Sequence, residues 1–590
     1  MPALKFGSVT PSALHFGGAP VSKVYLGATE IWPLAAGATL TADAGTFTLT
    51  GVNAAFLRAL RMVADPGAFT LTGNAVTFPG AYAFNAETGT FTLTGNAAGL
   101  LRALRMEAAS GAFSLTGNAA GLSKTFTVLA EGGAFTLTGV DAAFKRALVM
   151  QAATGSFTLT GNAATLTYTP VGSNYALAYR TTDLTSVGTG GSVVGLDTEV
   201  ADIPGFHSTA SDTERFTVTS TFNTRYGRFS GSSRSATEDT EVYCRKNGST
   251  FNGVARQVGR SAGTQNLRVA SGIIALATSD YFDMVARDLS GTVTFSGGDF
   301  TWGQLEVLPS DFNGCLAYKA ATQSLSASTT TALEFDSEVY DLDGFHSTAS
   351  NTSRQTVPAS GVSLIRISGC IETASITAGN QFVLGALKGG ASFNGAPNLD
   401  VEIGVTGADY LNCMSGPLEV SGSDYFELTA FGPAQTLPAS PYSWFQVEEL
   451  PSDLKWARAR LASNFSLSAA TTTNIQWDTE DADVGGWIDL GTNNTRLTVP
   501  SGVTKIRIVA NLQAASSTNQ LVVSMTKNGA SFPGMGSFDN ETAGVDSVNA
   551  WSAILDVTPG DYFEITAFST NARSLTGGTT TWATIEEVRF

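Results

Sequence analysis

The sequence predicts an all-β protein, and three observations carry that prediction. One phrase of seven residues recurs six times at an unbroken spacing of 22 residues. A second, longer pattern recurs three times in the rest of the chain. The composition is strand-like throughout, with 63 glycines, abundant Thr and Ser, alternating apolar residues and only 14% charge in 590 residues. That is the mixture of turn formers and half-buried residues from which sheets are built. A chain of this length has room for roughly three to five domains.

Residues 1–35 stand apart. Val24-Tyr25-Leu26, a Gly turn and Thr29-Glu30-Ile31-Trp32 read as two short strands rich in aromatics. A piece this small cannot enclose its own core. It is therefore expected to dock onto something larger, with Val24, Tyr25, Leu26 and Trp32 as attachment residues. A plain cap on the following repeats is the competing reading, since repeat arrays need capped ends. The start of the chain shows no charged segment followed by an apolar run, so no signal peptide is expected.

Residues 36–170 hold the repeats. Gly45-Thr46-Phe47-Thr48-Leu49-Thr50-Gly51 returns from Gly67, Gly89, Gly111, Gly133 and Gly155. In an extended chain, Phe47 and Leu49 fall on one face and the hydroxyls on the other. The same holds for Phe69 and Leu71, Phe91 and Leu93, Phe113 and Leu115, Phe135 and Leu137, and Phe157 and Leu159. These twelve are the expected packing residues of a shaft. The second half of the first repeat, Ala54 to Met62, has helix propensity. Its counterpart in the second repeat reads Phe78-Pro79-Gly80, which would break a helix, so two short strands per repeat are predicted. Such a ribbon buries nothing alone. It either coils on itself or winds with identical chains. The basic column Arg58, Arg102 and Arg146 interrupts the apolar face. Three chains winding about one axis is the favoured arrangement, because a coil is expected to need three sides per turn. A single-chain solenoid is the alternative.

The Val24 to Pro33 segment followed by these arrays resembles bacteriophage tail-fibre and related virion-fibre proteins. The resemblance covers residues 1–168 and implies a homotrimeric fibre on a phage particle.

Three modules follow, at 171–312, 313–454 and 455–590. Asp-Tyr-Phe and an acidic residue recur at Asp280, Asp424 and Asp561, and Lys-(Asn/Gly)-Gly turns at Lys246, Lys388 and Lys527. Trp302, Trp444 and Trp582 open the closing strands, which contain Glu306, Glu448 and Glu586. Leu308-Pro309-Ser310-Asp311 and Leu450-Pro451-Ser452-Asp453 mark the joints. Short strands between Gly-rich turns suggest two-sheet sandwiches or jelly rolls. Val357-Pro358-Ala359-Ser360-Gly361-Val362, Val499-Pro500-Ser501-Gly502-Val503 and the Asp-Tyr-Phe-Glu strands resemble the complement globular-head, tumour-necrosis-factor-like jelly roll. Module one departs from this pattern at Arg215-Phe216-Thr217-Val218-Thr219. The resemblance implies compact trimers, which would suit a trimeric shaft.

A net charge of −17 argues against non-specific nucleic-acid binding. No stretch is long enough to span a membrane as an apolar helix. Cys244, Cys315, Cys370 and Cys413 show no metal-ligand spacing. They read as buried thiols, with a Cys370–Cys413 bridge as the alternative. His207 and His346 occupy equivalent positions in two modules without a visible partner cluster and are read as structural or merely exposed. Two acidic loops, Asp336/Glu338/Asp341/Asp343 and Asp478/Glu480/Asp481/Asp483, raise a calcium reading, but solvated loops are commonly acidic. No catalytic motif appears, and no cofactor or metal is expected.

The functional expectation is a non-enzymatic, homotrimeric virion fibre. It would be anchored by its N-terminus to other virion proteins and carry three stacked jelly-roll modules. A receptor-binding adhesin, whose distal module 455–590 meets a host surface glycan or flagellum, is the second reading. A polysaccharide depolymerase is the third and least favoured.

Overall fold

The computed structural model describes strand segments within 15–167 and residues 174–589, apart from gaps at 203, 220–221, 223–224, 236–238, 260–263, 310, 360–361, 403–405, 516–518 and 543–545. The described residues form strands and no α-helix. The chain divides into two compact units, Met1–Val171 and Gly172–Phe590.

In the first unit each 22-residue repeat contributes one strand to each of two parallel sheets. Thr46–Ala55, Ala68–Phe78, Thr90–Leu100, Ala112–Ser123 and Ala134–Lys145 form one ladder, closed by Ser156–Thr160 and Ala163–Thr167. Leu60–Asp65, Tyr82–Ala86, Leu104–Ala108, Phe126–Ala130 and Leu148–Ala152 form most of the other. The register equals the repeat: Phe47 pairs with Phe69, Phe69 with Phe91, Phe91 with Phe113, and so on to Phe157. Thr90 and Thr116 are exposed, and Thr92, Thr94 and Ser114 half-exposed, so this part of the hydroxyl face meets solvent.

Two strands per repeat were expected, and two sheets are formed. The expected winding of three chains is not what the ladder shows, because each repeat pairs with its neighbours in the same chain. The ladder skips a pair after Gly73 and Gly95, and in the last repeat the long strand separates into two pieces at this place. A Gly with no Cβ tolerates such an irregularity in the ladder.

The second unit holds the three modules, each built from antiparallel sheets. In each, the first strand (Tyr175–Tyr179, Gly314–Lys319, Trp456–Arg460) pairs with the last (Trp302–Val307, Ser440–Glu449, Trp582–Glu587). The last strand then pairs with a long central one: Tyr226–Ser235, Leu364–Glu372 or Lys505–Ala514. A smaller sheet is centred on the Asp-Tyr-Phe strand, Tyr281–Asp288, Tyr425–Phe431 or Tyr562–Ser569. Residues alternate along the central strands. Ile365 and Ile367 enter the core between the sheets, as do Ile506 and Ile508, while the intervening Arg366 and Arg507 face away from it.

The modules are not stacked in a line. A stack would place the second between the first and third, yet first and third are in direct contact: Trp302 Nε1 donates to the Met535 carbonyl at 3.2 Å. All three modules pack about a common axis instead.

Candidate functional site

The axis is where sequence-distant residues converge. Arg228 stands opposite Glu306 on the neighbouring strand, Arg366 opposite Glu448, and Arg507 opposite Glu586. Each arginine also reaches a carboxylate of the next module. Arg228 donates to Glu448 at 2.5 Å, Arg366 to Glu586, and Arg507 to Glu306 at 2.5 Å. Within the modules, Arg366 lies 2.7 Å from Glu448, Arg507 3.5 Å from Glu586 and Arg228 3.8 Å from Glu306. Every guanidinium thus bridges two carboxylates and every carboxylate two guanidinia, in a closed cycle of balanced charge. All six side chains are buried, none more than 7% exposed. Planar, two-sided arginine suits this bridging as lysine would not.

Burial alone would raise the Glu448 carboxyl. Arg228, Arg366 and Arg507 overcome that and hold it at about 2. The same carboxylates, Glu448 first, raise the Arg366 guanidinium against its own desolvation. Unpaired, either partner would be costly to bury.

Around the ring the seams repeat a common set of contacts. Trp302 donates to Met535, Trp444 to the Val254 carbonyl at 2.9 Å, and Trp582 to the Ala396 carbonyl at 3.0 Å. A buried indole N–H needs such an acceptor. Gln304 exchanges both bonds with the backbone of Ile554, and Gln446 accepts from Ile273 N–H at 2.8 Å. Leu177, Leu316 and Arg458, at one column of the first strands, press on Gly534, Gly253 and Gly395. These glycines have φ of +87°, +96° and +87°, so a side chain there would be strained as well as crowded. Arg458 takes the apolar column in the third module and donates to the carbonyls of Asn394 and Pro417. Burial pulls its guanidinium down to about 10.

The residues singled out in the sequence are placed as follows. The backbone of Val24, Tyr25, Leu26 and Trp32 forms a short antiparallel hairpin. The shaft residues from Phe47 to Leu159 occupy matching ladder positions. The side chains of both groups lie outside the described residues. His207 and His346 are buried plugs: Nε2 donates to the carbonyl of Thr213 at 2.9 Å or Thr352 at 3.2 Å, and Nδ1 faces Glu199 or Glu338. In the acidic loops, Asp341 and Asp483 each accept three backbone N–H bonds. Asp336 caps Ala320, Asp478 caps Ala462, and Asp481 pairs with Arg460. Among the described residues, no three or more His, Cys, Asp or Glu are grouped to hold a metal. All four cysteines are free and buried. Gly369, rather than Cys370, stands opposite Cys413, so the two thiols point to opposite faces of their sheet and no bridge can form.

The three arginines were missed in the sequence, although a signal was there. Ile365-Arg366-Ile367 and Ile506-Arg507-Ile508 put a lone charge inside a strongly apolar strand at the same column of two modules.

No protein-family model matches the chain. No curated protein matches it either. Among solved structures, murine APRIL aligns at 13% identity over 23% of this chain and 100% of its own, with a TM-score of 0.18. The enzymatically active domain of bacteriophage CBA120 tailspike protein 4 aligns at 9% identity over 47% of this chain and 45% of its own, with a TM-score of 0.13.

Proposed function

We propose that this chain is a non-enzymatic structural fibre of a bacteriophage particle, in which a single-chain β-coil carries a self-contained head of three jelly-roll modules. The observation that supports it most is the Arg–Glu cycle. It joins the three modules of one chain through partners about 200 residues apart, 220 for Arg228 with Glu448 and 201 for Arg507 with Glu306. Threefold packing, implied between chains by the jelly-roll resemblance, is met here inside one polypeptide. A repeat that extends by stacking suits a spacer, and the closed head suits a durable tip. On this reading residues 1–35 attach to other virion proteins.

Two measurements test it. Light scattering on the full chain is expected to give the mass of one chain. A mass of three would return the trimeric fibre. Antibody to 172–590, imaged by electron microscopy on purified particles of the encoding virus, is expected to decorate a projecting fibre. Undecorated particles from lysates that contain the protein would overturn the virion assignment.

A further inference from the structure

We propose that the seam between the first and third modules binds a carboxylated saccharide. A groove of about 280 Å³ opens there, and Arg234 and Asn266 of the first module face Gln520, Ser524, Thr566 and Phe568 of the third across it. Among the described residues, no carboxylate lines the groove, in a chain whose net charge is −17. The Arg234 guanidinium lies 4.4 Å from the centre of the Phe300 ring. It has no carboxylate partner among the described residues.

The third module's wall is the outer face of its smaller sheet. Leu521, Val523 and Met525 are fully buried inward, as are Ile565 and Ala567, so the alternate residues face outward. There Val522 pairs with Phe568 and Ser524 with Thr566, placing an apolar patch beside a hydroxyl patch. The Ser524 hydroxyl donates to Ser537 at 2.9 Å, which leaves its oxygen to accept. A pyranose has this same division, with an apolar C–H face and a polar rim. An aromatic wall, a few convergent polar groups and one fixed charge make a ligand site. Arg234 would take the carboxylate in the two-pronged geometry that guanidinium favours, with the ring over Phe568 and its hydroxyls on Ser524 and Thr566.

The equivalent seam between the first and second modules has a different wall. The Glu241–Arg287 ion pair, 2.9 Å long, occupies the position of Val522 and Phe568. Arg256 pairs with Glu241 and lies 4.2 Å from the Tyr410 ring centre and 5.5 Å from that of Tyr442. At the remaining seam the Val383–Phe431 pair returns, but the residue in the place of Arg234 is Gln513. The guanidinium and the apolar–hydroxyl wall meet at one seam of the three.

The proposal does not depend on the fibre reading. Its test is saturation-transfer NMR and calorimetry on the full chain with trigalacturonate, 3′-sialyllactose and a hyaluronan tetrasaccharide, with maltotriose as the neutral control. At least one acidic probe is expected to bind saturably, and more tightly than maltotriose. Arg234→Gln should weaken it about tenfold, the worth of one charge-assisted contact. Ser524→Trp, which fills the groove from an outward position, should abolish it. Silence from all three acidic probes would overturn the proposal, as would unchanged binding in Ser524→Trp. Equal competition by inorganic phosphate would reduce the site to a non-specific anion patch. Should Arg234→Gln fail to fold, Ser524→Trp decides alone.

Discussion

Arg366 touches Glu448 and Glu586 at once, so its removal strands two buried carboxylates. Arg366→Met is expected to cost about 3–5 kcal/mol, the usual loss when one member of a buried ion cluster is deleted. A denaturant midpoint on 172–590 would show it, and Arg366→Lys should rescue little because one ammonium cannot span both partners. The ring also sets an acid limit. Glu448 is lowered from 4.5 to about 2, so its contribution to stability is complete above the unfolded value and drains away as pH falls through that interval. Unfolding midpoints measured against pH should therefore fall through that interval, with the lower end set by the ring. Thiols give a second check at this scale. Burial pushes Cys244 and Cys413 up to about 12, so a thiol reagent such as DTNB should find essentially none of the four cysteines in the native chain and all of them in denaturant.

At the level of strands, the ladder of the first unit repeats every 22 residues in both sheets. Excising one whole repeat, residues 89–110, should leave every remaining pair in register and shorten the coil by one strand spacing, about 4.8 Å. Excising half of it should not, because the two sheets would fall out of step. Circular dichroism and thermal melts separate the outcomes. The seams make a similar prediction in the second unit. A Cβ at Gly416 would collide with Thr584 of the neighbouring module, so Gly416→Ala should lose about 1–3 kcal/mol, and Thr584→Ala should restore part of it.

Much of this was legible in the sequence. The repeated columns carried two strands per repeat but not their pairing within one chain, and the Trp, Lys-Gly and Asp-Tyr-Phe columns marked three like modules. The closure was not legible. Trp302, Trp444 and Trp582 would serve as well between three chains as within one, because a contact pattern does not record which copy supplies the partner. Nor did the acidic loops reveal their use, since an aspartate capping backbone N–H groups and one binding calcium look alike until the turn is seen.

For the whole molecule, the decisive feature is that first and third modules meet, through Trp302, Gln304 and Arg507. An assembly of separate chains loosens on dilution, whereas one closed within a chain does not. The melting temperature of 172–590 should be the same across a hundredfold range of protein concentration. A rise with concentration would mean that the ring is completed between chains. The closure has one more consequence. In a symmetric trimer each substitution is written three times, so a change that favours one interface is imposed on all of them. Here each position is written once. A seam can be sealed with ions, as beside Glu241 and Arg287, while its counterpart is left to drift, and the gene can vary one face of the head without hazarding the other two.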